Sequence, residues 1–183
     1  RYATDTGAGV TGGLERRWVN DRGHKLDANL SLAQRGNAAL VAYRMPAFAW
    51  LEGWYTASAS LRQDPIDFID SEVLEVIGSR SGQLGAWTLE AGLHYRRERF
   101  DDPTTGNAVA WSTLVYPQLS ATWRVADDPL YPRRGHGLRL ELRGGHTGIG
   151  SDMDFLQARA EASWIRSFGW RNRVLLRAEA GTT

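Results

Sequence analysis

Hydrophobic and polar residues alternate along most of this 183-residue chain. In residues 25–32, leucine and alanine occupy the even positions and polar residues the odd ones. A repeat of two residues is typical of a β-strand with one apolar and one polar face. The pattern predicts about ten strands after a remnant at 2–4, with no convincing helix. The clearest other strands are 87–96, 138–143, 156–164 and 174–179, and the weaker ones are 10–18, 39–45, 55–61, 73–80 and 115–125.

Segments rich in glycine, proline, aspartate and asparagine separate these strands, so consecutive strands are expected to pair as antiparallel hairpins. The predicted fold is therefore all-β. A soluble β-sandwich and an up-and-down β-barrel both fit regular hairpins of this length. The connecting segments are 20–23, 35–37, 64–70, 81–85, 101–107, 127–135, 144–152 and 169–172.

The charges on the polar positions favour the barrel. A water-filled lumen accepts charged side chains, and opposite signs can pair across neighbouring strands. The apolar positions are rich in leucine and alanine and poor in the large aromatics of a sandwich core, which suits contact with lipid. A solvated sheet face over a soluble core is the alternative. The charged residues of the polar positions are Glu90, His94, Arg96, Arg139, Glu141, Arg143, Arg159, Glu161, Arg177 and Glu179.

Tryptophan placement also favours a membrane. In an antiparallel sheet alternate connections lie at the same rim, and indoles gather at the headgroup level of a bilayer. Trp111 alone belongs to the opposite rim, and Trp54 has the wrong parity for its strand, so Tyr55 is an alternative belt residue there. The tryptophans of the common rim are Trp18, Trp50, Trp54, Trp87, Trp123, Trp164 and Trp170, of which Trp18, Trp87, Trp123 and Trp164 are the predicted interface belt.

Composition excludes several functions. The chain has 22 basic and 21 acidic residues without a basic cluster, which argues against nucleic-acid binding. It has no cysteine, hence no disulfide, thiolate zinc site or cysteine nucleophile. The four histidines match no metal spacing, and no nucleotide-binding motif is present. His94 near Glu90 could belong to a hydrolase facing the lumen, but nothing marks a nucleophile, so we expect neither an enzyme nor a cofactor.

Several short strings, taken in their order and spacing, resemble the first part of the outer-membrane barrel of the TamA family, within the BamA/TamA superfamily. One string, Asp-Pro-Leu-Tyr-Pro-Arg-Arg-Gly at 128–135, resembles the Tyr-Pro-Thr-Arg-Gly turn of the superfamily, with Arg133 in place of the usual threonine. The turn residues carried over are Tyr131, Pro132, Arg134 and Gly135. The other strings are Tyr-Ala-Thr-Asp-Thr-Gly at 2–7, Trp-Val-Asn-Asp-Arg-Gly-His at 18–24, Tyr-Arg-Met-Pro at 43–46, Gly-Ser-Asp-Met-Asp-Phe at 150–155 and Trp-Ile-Arg at 164–166.

The resemblance implies a sixteen-stranded barrel in a Gram-negative outer membrane, preceded by periplasmic transport-associated domains. Such a protein helps insert or secrete other outer-membrane proteins, for example autotransporters, with a periplasm-spanning TamB-like partner subunit. Residues 1–183 are then expected to be part of one barrel domain, with the periplasmic domains and the C-terminal strands outside them. A two-partner secretion transporter and a passive diffusion porin are the alternatives.

The edge of the predicted sheet is the candidate functional site. A poorly paired first strand can open and offer backbone groups to an incoming strand, which is β-augmentation within a membrane. The predicted gate edge is Tyr2, Ala3 and Thr4. Glycines beside this edge weaken strand pairing, or else fit a tight turn and a crowded wall. These glycines are Gly7, Gly9, Gly12 and Gly13.

Overall fold

The computed structural model describes residues 2–3, 7–34, 36–66, 69–101, 111–128, 130–169 and 172–182. These residues form eleven β-strands and, between the ninth and tenth strands, a short 3₁₀ helix at Thr147–Ile149. The strands are β1 (Tyr2–Ala3), β2 (Gly7–Arg16), β3 (Lys25–Ala33), β4 (Gly36–Ala47), β5 (Gly53–Ile66), β6 (Ile69–Leu84), β7 (Trp87–Asp101), β8 (Ser112–Ala126), β9 (Arg134–Gly145), β10 (Phe155–Phe168) and β11 (Asn172–Thr182).

The strands form a single sheet in which every strand pairs with its neighbour in the sequence. All pairings are antiparallel, so the predicted all-β, up-and-down architecture is confirmed. The described strands do not divide into two packed sheets, as a sandwich requires. The sheet is open, with β1 and β11 at its edges, and is consistent with part of a barrel wall.

Several predicted strand ends are wrong. The turn expected at 64–70 is largely strand, because β5 continues to Ile66 and β6 begins at Ile69. Asp64 and Asp70, typical turn residues, still take part in strand pairing there, because pairing uses backbone groups rather than apolar side chains. The turn expected at 81–85 is also shorter, since β6 extends to Leu84. β2, by contrast, stops before its predicted end at residue 18. It ends at Arg16, so Trp18 lies in the connection to β3.

The sheet has almost no core. Its solvent-accessible surface is 13325 Å², whereas a compact protein of 20.4 kDa exposes about 8,800 Å². Ala42, Ala47 and Tyr116 are the buried hydrophobic residues in the described part of the chain. Both faces of the sheet are therefore open to their surroundings. No helix among the described residues has the length and apolar character needed to cross a membrane.

Candidate membrane-facing surface and polar face

The strand register gathers the two sets of alternating residues onto opposite sides of the sheet, because directly paired residues share a face. Leu140, for example, pairs with Ala121 on β8 and with Ala160 on β10. The apolar face comprises, from β7 to β10, Leu89, Ala91, Leu93, Leu119, Ala121, Leu138, Leu140, Leu142, Ala158 and Ala160. The polar face comprises, from β6 to β11, Glu75, His94, Arg96, Glu141, Arg143, Arg159 and Glu179.

Many leucines of the apolar face are exposed, whereas exposure on the polar face varies from residue to residue and reaches 54% for the side chain of Arg159. Leu93 is 56% exposed and Leu142 is 44% exposed. The side chain of His94, next to Leu93, is 14% exposed, and that of Glu141, next to Leu142, is 17% exposed. A contiguous exposed apolar surface of this kind marks contact with a partner or a membrane rather than with water.

The apolar band has two defined ends on β7. From Trp87 to Tyr95 it covers eight steps of about 3.3 Å, which span about 20 Å if the strand is tilted by roughly 40°. Beyond Tyr95 the same face carries Arg97 and Arg99. Their guanidinium groups lie 4.6 and 5.6 Å from the centre of the Trp111 ring. On β7 itself the band therefore has an indole near each end, Trp87 at one and Trp111 at the other, and two arginines beside Trp111.

Three of the four predicted belt residues lie near one another. Trp87 and Trp123 are cross-strand partners whose rings stack with centroids 6.2 Å apart. The Trp123 ring also lies 4.9 Å from that of His136, which pairs with Trp164 on β10. Trp18 is 71% exposed and lies at the same rim but in the distant connection between β2 and β3. Trp170 lies outside the described residues.

On β5, Tyr55 lies on the apolar face and Trp54 lies on the polar face. The ammonium of Lys25 lies 4.5 Å from the Trp54 ring, on the polar face. Tyr55 points to the apolar face, is 47% exposed, and has the guanidinium of Arg80 4.9 Å from its ring centre. Tyr55 therefore shares the apolar face with Trp87 and Trp123, and Trp54 does not.

An aromatic and carboxylate cluster on the polar face was missed in the sequence. His94 Nδ1 lies 3.3 Å from Glu75 Oε1, and the Tyr116 hydroxyl donates to the same oxygen at 3.5 Å. The His94 and Tyr116 rings stack at 4.8 Å, and Phe155 meets Tyr116 edge-on at 5.7 Å. This cluster joins β6, β7, β8 and β10. Its only signal in the sequence is an aromatic residue at a polar position of β8.

Ion pairs follow the expected cross-strand pattern in part. Arg44 on β4 contacts Asp27 on β3 at 3.1 Å, and Arg159 on β10 contacts Glu179 on β11 at 2.8 Å. Two further pairs instead join residues two apart within one strand, at 2.7 Å for Arg96–Glu98 and 3.4 Å for Arg139–Glu141. The pairing within strands was not expected, and these two contacts do not join neighbouring strands.

The predicted periplasmic turn is organised by two carboxylates. Asp127 accepts hydrogen bonds from the backbone N–H groups of Arg133 and Arg134, each at 2.9 Å. Asp128 accepts from Leu130 at 2.8 Å and Tyr131 at 3.0 Å. Backbone donors, Arg134 first, hold the pKa of Asp127 below its usual range, and Tyr131 and Leu130 do the same for the pKa of Asp128.

Of the four residues that the resemblance assigns to this turn, two lie in the turn and two lie in the strand that follows it. Tyr131 lies in the turn, where the Arg173 guanidinium is 4.4 Å from its ring centre, and Pro132 follows it. Arg134 and Gly135 already belong to β9. Gly135 is buried, and a Cβ atom there would lie 3.0 Å from the Val125 carbonyl oxygen. The glycine is therefore required by the close approach of β8.

The predicted gate edge is described in part. Tyr2 and Ala3 form β1, and among the described residues Tyr2 pairs with Ala8 and Ala3 with Gly7 on β2. Thr4 lies outside the described residues. On β2, a Cβ at Gly9 or Gly13 would lie 3.0–3.1 Å from a side-chain atom of β3, whereas at Gly12 it would meet open space. Crowding thus accounts for some of these glycines but not for Gly12.

The four histidines have separate partners: Tyr43 for His24, Glu75 for His94, Trp123 for His136 and Asp154 for His146. The described residues contain no group of three or more potential ligands placed to hold a metal ion. No protein-family model matches the chain.

Proposed function

We propose that this chain forms part of the wall of an outer-membrane β-barrel that belongs to an assembly or translocation factor for other outer-membrane proteins. The observation that supports a membrane location is the contiguous exposed apolar surface on one face of the sheet, opposite a face that carries the charged residues. A soluble protein buries such a surface, whereas a barrel wall presents it to lipid tails and turns its charges toward water.

The assembly activity is supported by the resemblance of the motifs, among them the string at 2–7 that contains the predicted gate edge. β1 forms one edge of the described sheet, and Gly12 on β2 contributes no side-chain contact. In the proposed barrel this edge opens and pairs with a strand of a client protein, whose backbone groups take the place of lipid. Clients would be outer-membrane proteins such as autotransporters, delivered with a periplasm-spanning partner subunit.

The facing of the wall can be tested by cysteine labelling, because the chain contains no cysteine. Leu140→Cys and Glu141→Cys are adjacent on β9 and lie on opposite faces. In the full-length protein in native membranes, we expect a water-soluble maleimide to label Glu141→Cys and a lipid-soluble maleimide to label Leu140→Cys. The reverse pattern, or equal labelling of both by the water-soluble reagent, would contradict the proposal.

The assembly activity needs a separate test at β1. Tyr2 pairs with Ala8, whose backbone carbonyl accepts from Gln34 on the far side, so the Tyr2 N–H faces the open edge. Tyr2→Pro removes this donor, and Tyr2→Val is a matched control that keeps it and suits a strand. We expect Tyr2→Pro in the full-length protein to reduce surface display of an autotransporter while the protein stays in the outer membrane. Normal client display together with a large, steady ion conductance would instead indicate a passive porin.

A further inference from the structure

Arg80 is a cation on the apolar face. It lies on β6 in register with Tyr55 on β5 and Ala91 on β7. Its Nη2 donates to the carbonyl oxygens of Ala49, at 3.3 Å, and Leu51. Its Nη1 is buried without a hydrogen-bond partner, and no carboxylate pairs with Arg80 in the part of the chain that the structure describes. The Arg80 guanidinium thus lies beside Tyr55, and one of its nitrogen donors, Nη1, has no hydrogen-bond partner.

The connection between β4 and β5, residues 48–52, lies against this cation. A Cβ at Gly82 would be 2.6 Å from the Leu51 Cβ and 3.4 Å from Arg80 Nη1, so the absence of a side chain at Gly82 lets the connection lie on the sheet. Trp50 has a φ of 69° and is the only described non-glycine residue at positive φ. It is fully exposed, and Phe48 is 80% exposed. The Trp50 ring therefore projects at this rim beside Arg80, whereas Phe48 lies with Trp54 on the other side.

A groove of about 1050 Å³ runs from Arg80 and Tyr55 across the apolar face as far as β11. Away from Arg80 it is lined mainly by leucine and alanine side chains, among them Leu89, Leu119 and Leu142. Seven strands about 4.8 Å apart extend over roughly 29 Å. One acyl chain fills half of a hydrocarbon core about 30 Å thick, so the groove is long enough for such a chain.

We infer that Arg80 and this groove bind an anionic phospholipid on the outside of the barrel wall, an inference that rests on the proposed membrane location. The guanidinium offers N–H donors to the phosphate oxygens, to which its planar geometry is suited. The Trp50 side chain of the 48–52 connection lies at headgroup level, and the acyl chain lies along the leucines and alanines. The unpaired positive charge favours an anionic lipid over a zwitterionic one.

The test uses the full-length protein reconstituted in nanodiscs of phosphatidylcholine with or without phosphatidylglycerol, followed by native mass spectrometry. Arg80→Gln removes the headgroup contact, and Ala91→Phe fills the groove beside Arg80 while keeping its charge. Arg124→Gln is the matched control, because it removes the same charge at the same rim but from the polar face of the sheet. We expect Arg80→Gln and Ala91→Phe each to retain one phosphatidylglycerol molecule fewer than the parent, and Arg124→Gln to match the parent.

Three outcomes would overturn the lipid site, its acyl groove or the proposed membrane location. Equal phosphatidylglycerol retention by Arg80→Gln and the parent overturns the site while leaving the membrane location intact. A loss in Arg80→Gln but not in Ala91→Phe indicates binding of the phosphate alone, and overturns the acyl groove. A protein that does not enter nanodiscs at all contradicts the proposed function and the lipid site together.

Discussion

The two faces of the sheet differ in how they satisfy their side chains. On the polar face, charges and rings contact one another, as in the cluster of Glu75, His94 and Tyr116. On the apolar face, leucines such as Leu119 and Leu142 remain about half exposed. Polar side chains can find partners within the sheet or in water, whereas the exposed apolar face requires an external apolar phase. Hydrophobic alternation alone does not distinguish a core from such a surface, and the exposure of the leucines does.

The largest expected effect comes from placing arginine on each face of β8. Leu119 pairs with Ala91 and Leu142 near the middle of the apolar band, while Ser120 lies between Glu90 and Glu141 on the polar face. We expect Leu119→Arg to lower the free energy of unfolding in lipid by about 2–4 kcal/mol, because a cation there meets hydrocarbon. Denaturant titration of the full-length protein in lipid vesicles measures the change.

Ser120→Arg is the matched control on the opposite face. It introduces the same side chain one residue away, next to two carboxylates, and should leave stability almost unchanged. If Ser120→Arg is the more disruptive of the two, the apolar face points inward and the comparison of the faces is reversed.

A smaller effect is expected at the belt. The stacked rings of Trp87 and Trp123 should be coupled by about 0.5–1.5 kcal/mol. A double-mutant cycle with Trp87→Leu and Trp123→Leu, measured as unfolding free energy in the same vesicles, gives this coupling. Additive single effects would show that the two indoles act independently, each through its own contact with the bilayer interface.

The repeat of two residues predicts the strands, their hairpin pairing and the separation of the faces, because these depend on local alternation. The ends of β5 and β6 could not be predicted, since polar residues there still make backbone hydrogen bonds. The cluster around Tyr116 depends on the register of several strands, which the sequence does not state. Arg80 was missed for a similar reason, because its significance comes from a connection that lies across the sheet.

A still smaller effect is expected for an ion pair of the polar face. Asp27 and Arg44 are 3.1 Å apart, with side chains 25% and 48% exposed. We expect their coupling to be about 0.2–1 kcal/mol, and to fall as salt is added. A double-mutant cycle with Asp27→Asn and Arg44→Gln at low and high ionic strength measures it. A coupling that is insensitive to salt would mean that the pair is shielded from water.

The turn between β8 and β9 lies outside both faces of the sheet. A substitution there should therefore change stability without depending on which face meets lipid. Backbone donors lower the pKa of Asp127 in the folded protein. The ionised carboxylate therefore stabilises the fold at pH values above the unfolded-state pKa of about 3.9, and this stabilisation is lost as the pH falls through the lower pKa of the folded state. We expect Asp127→Asn to reduce stability at neutral pH and to flatten the acid limb. The urea midpoint against pH for variant and parent measures this, and parallel acid limbs would contradict it.

The neighbour-to-neighbour strand order has a consequence for how the chain reaches its native state. Every pairing in the sheet joins segments adjacent in the sequence, so contact order is low for a β protein of this size. Hairpins can be added one after another without closing a long loop. In the proposed barrel only the final seam would join distant segments, so the slow kinetic step and the opening site would coincide at that seam.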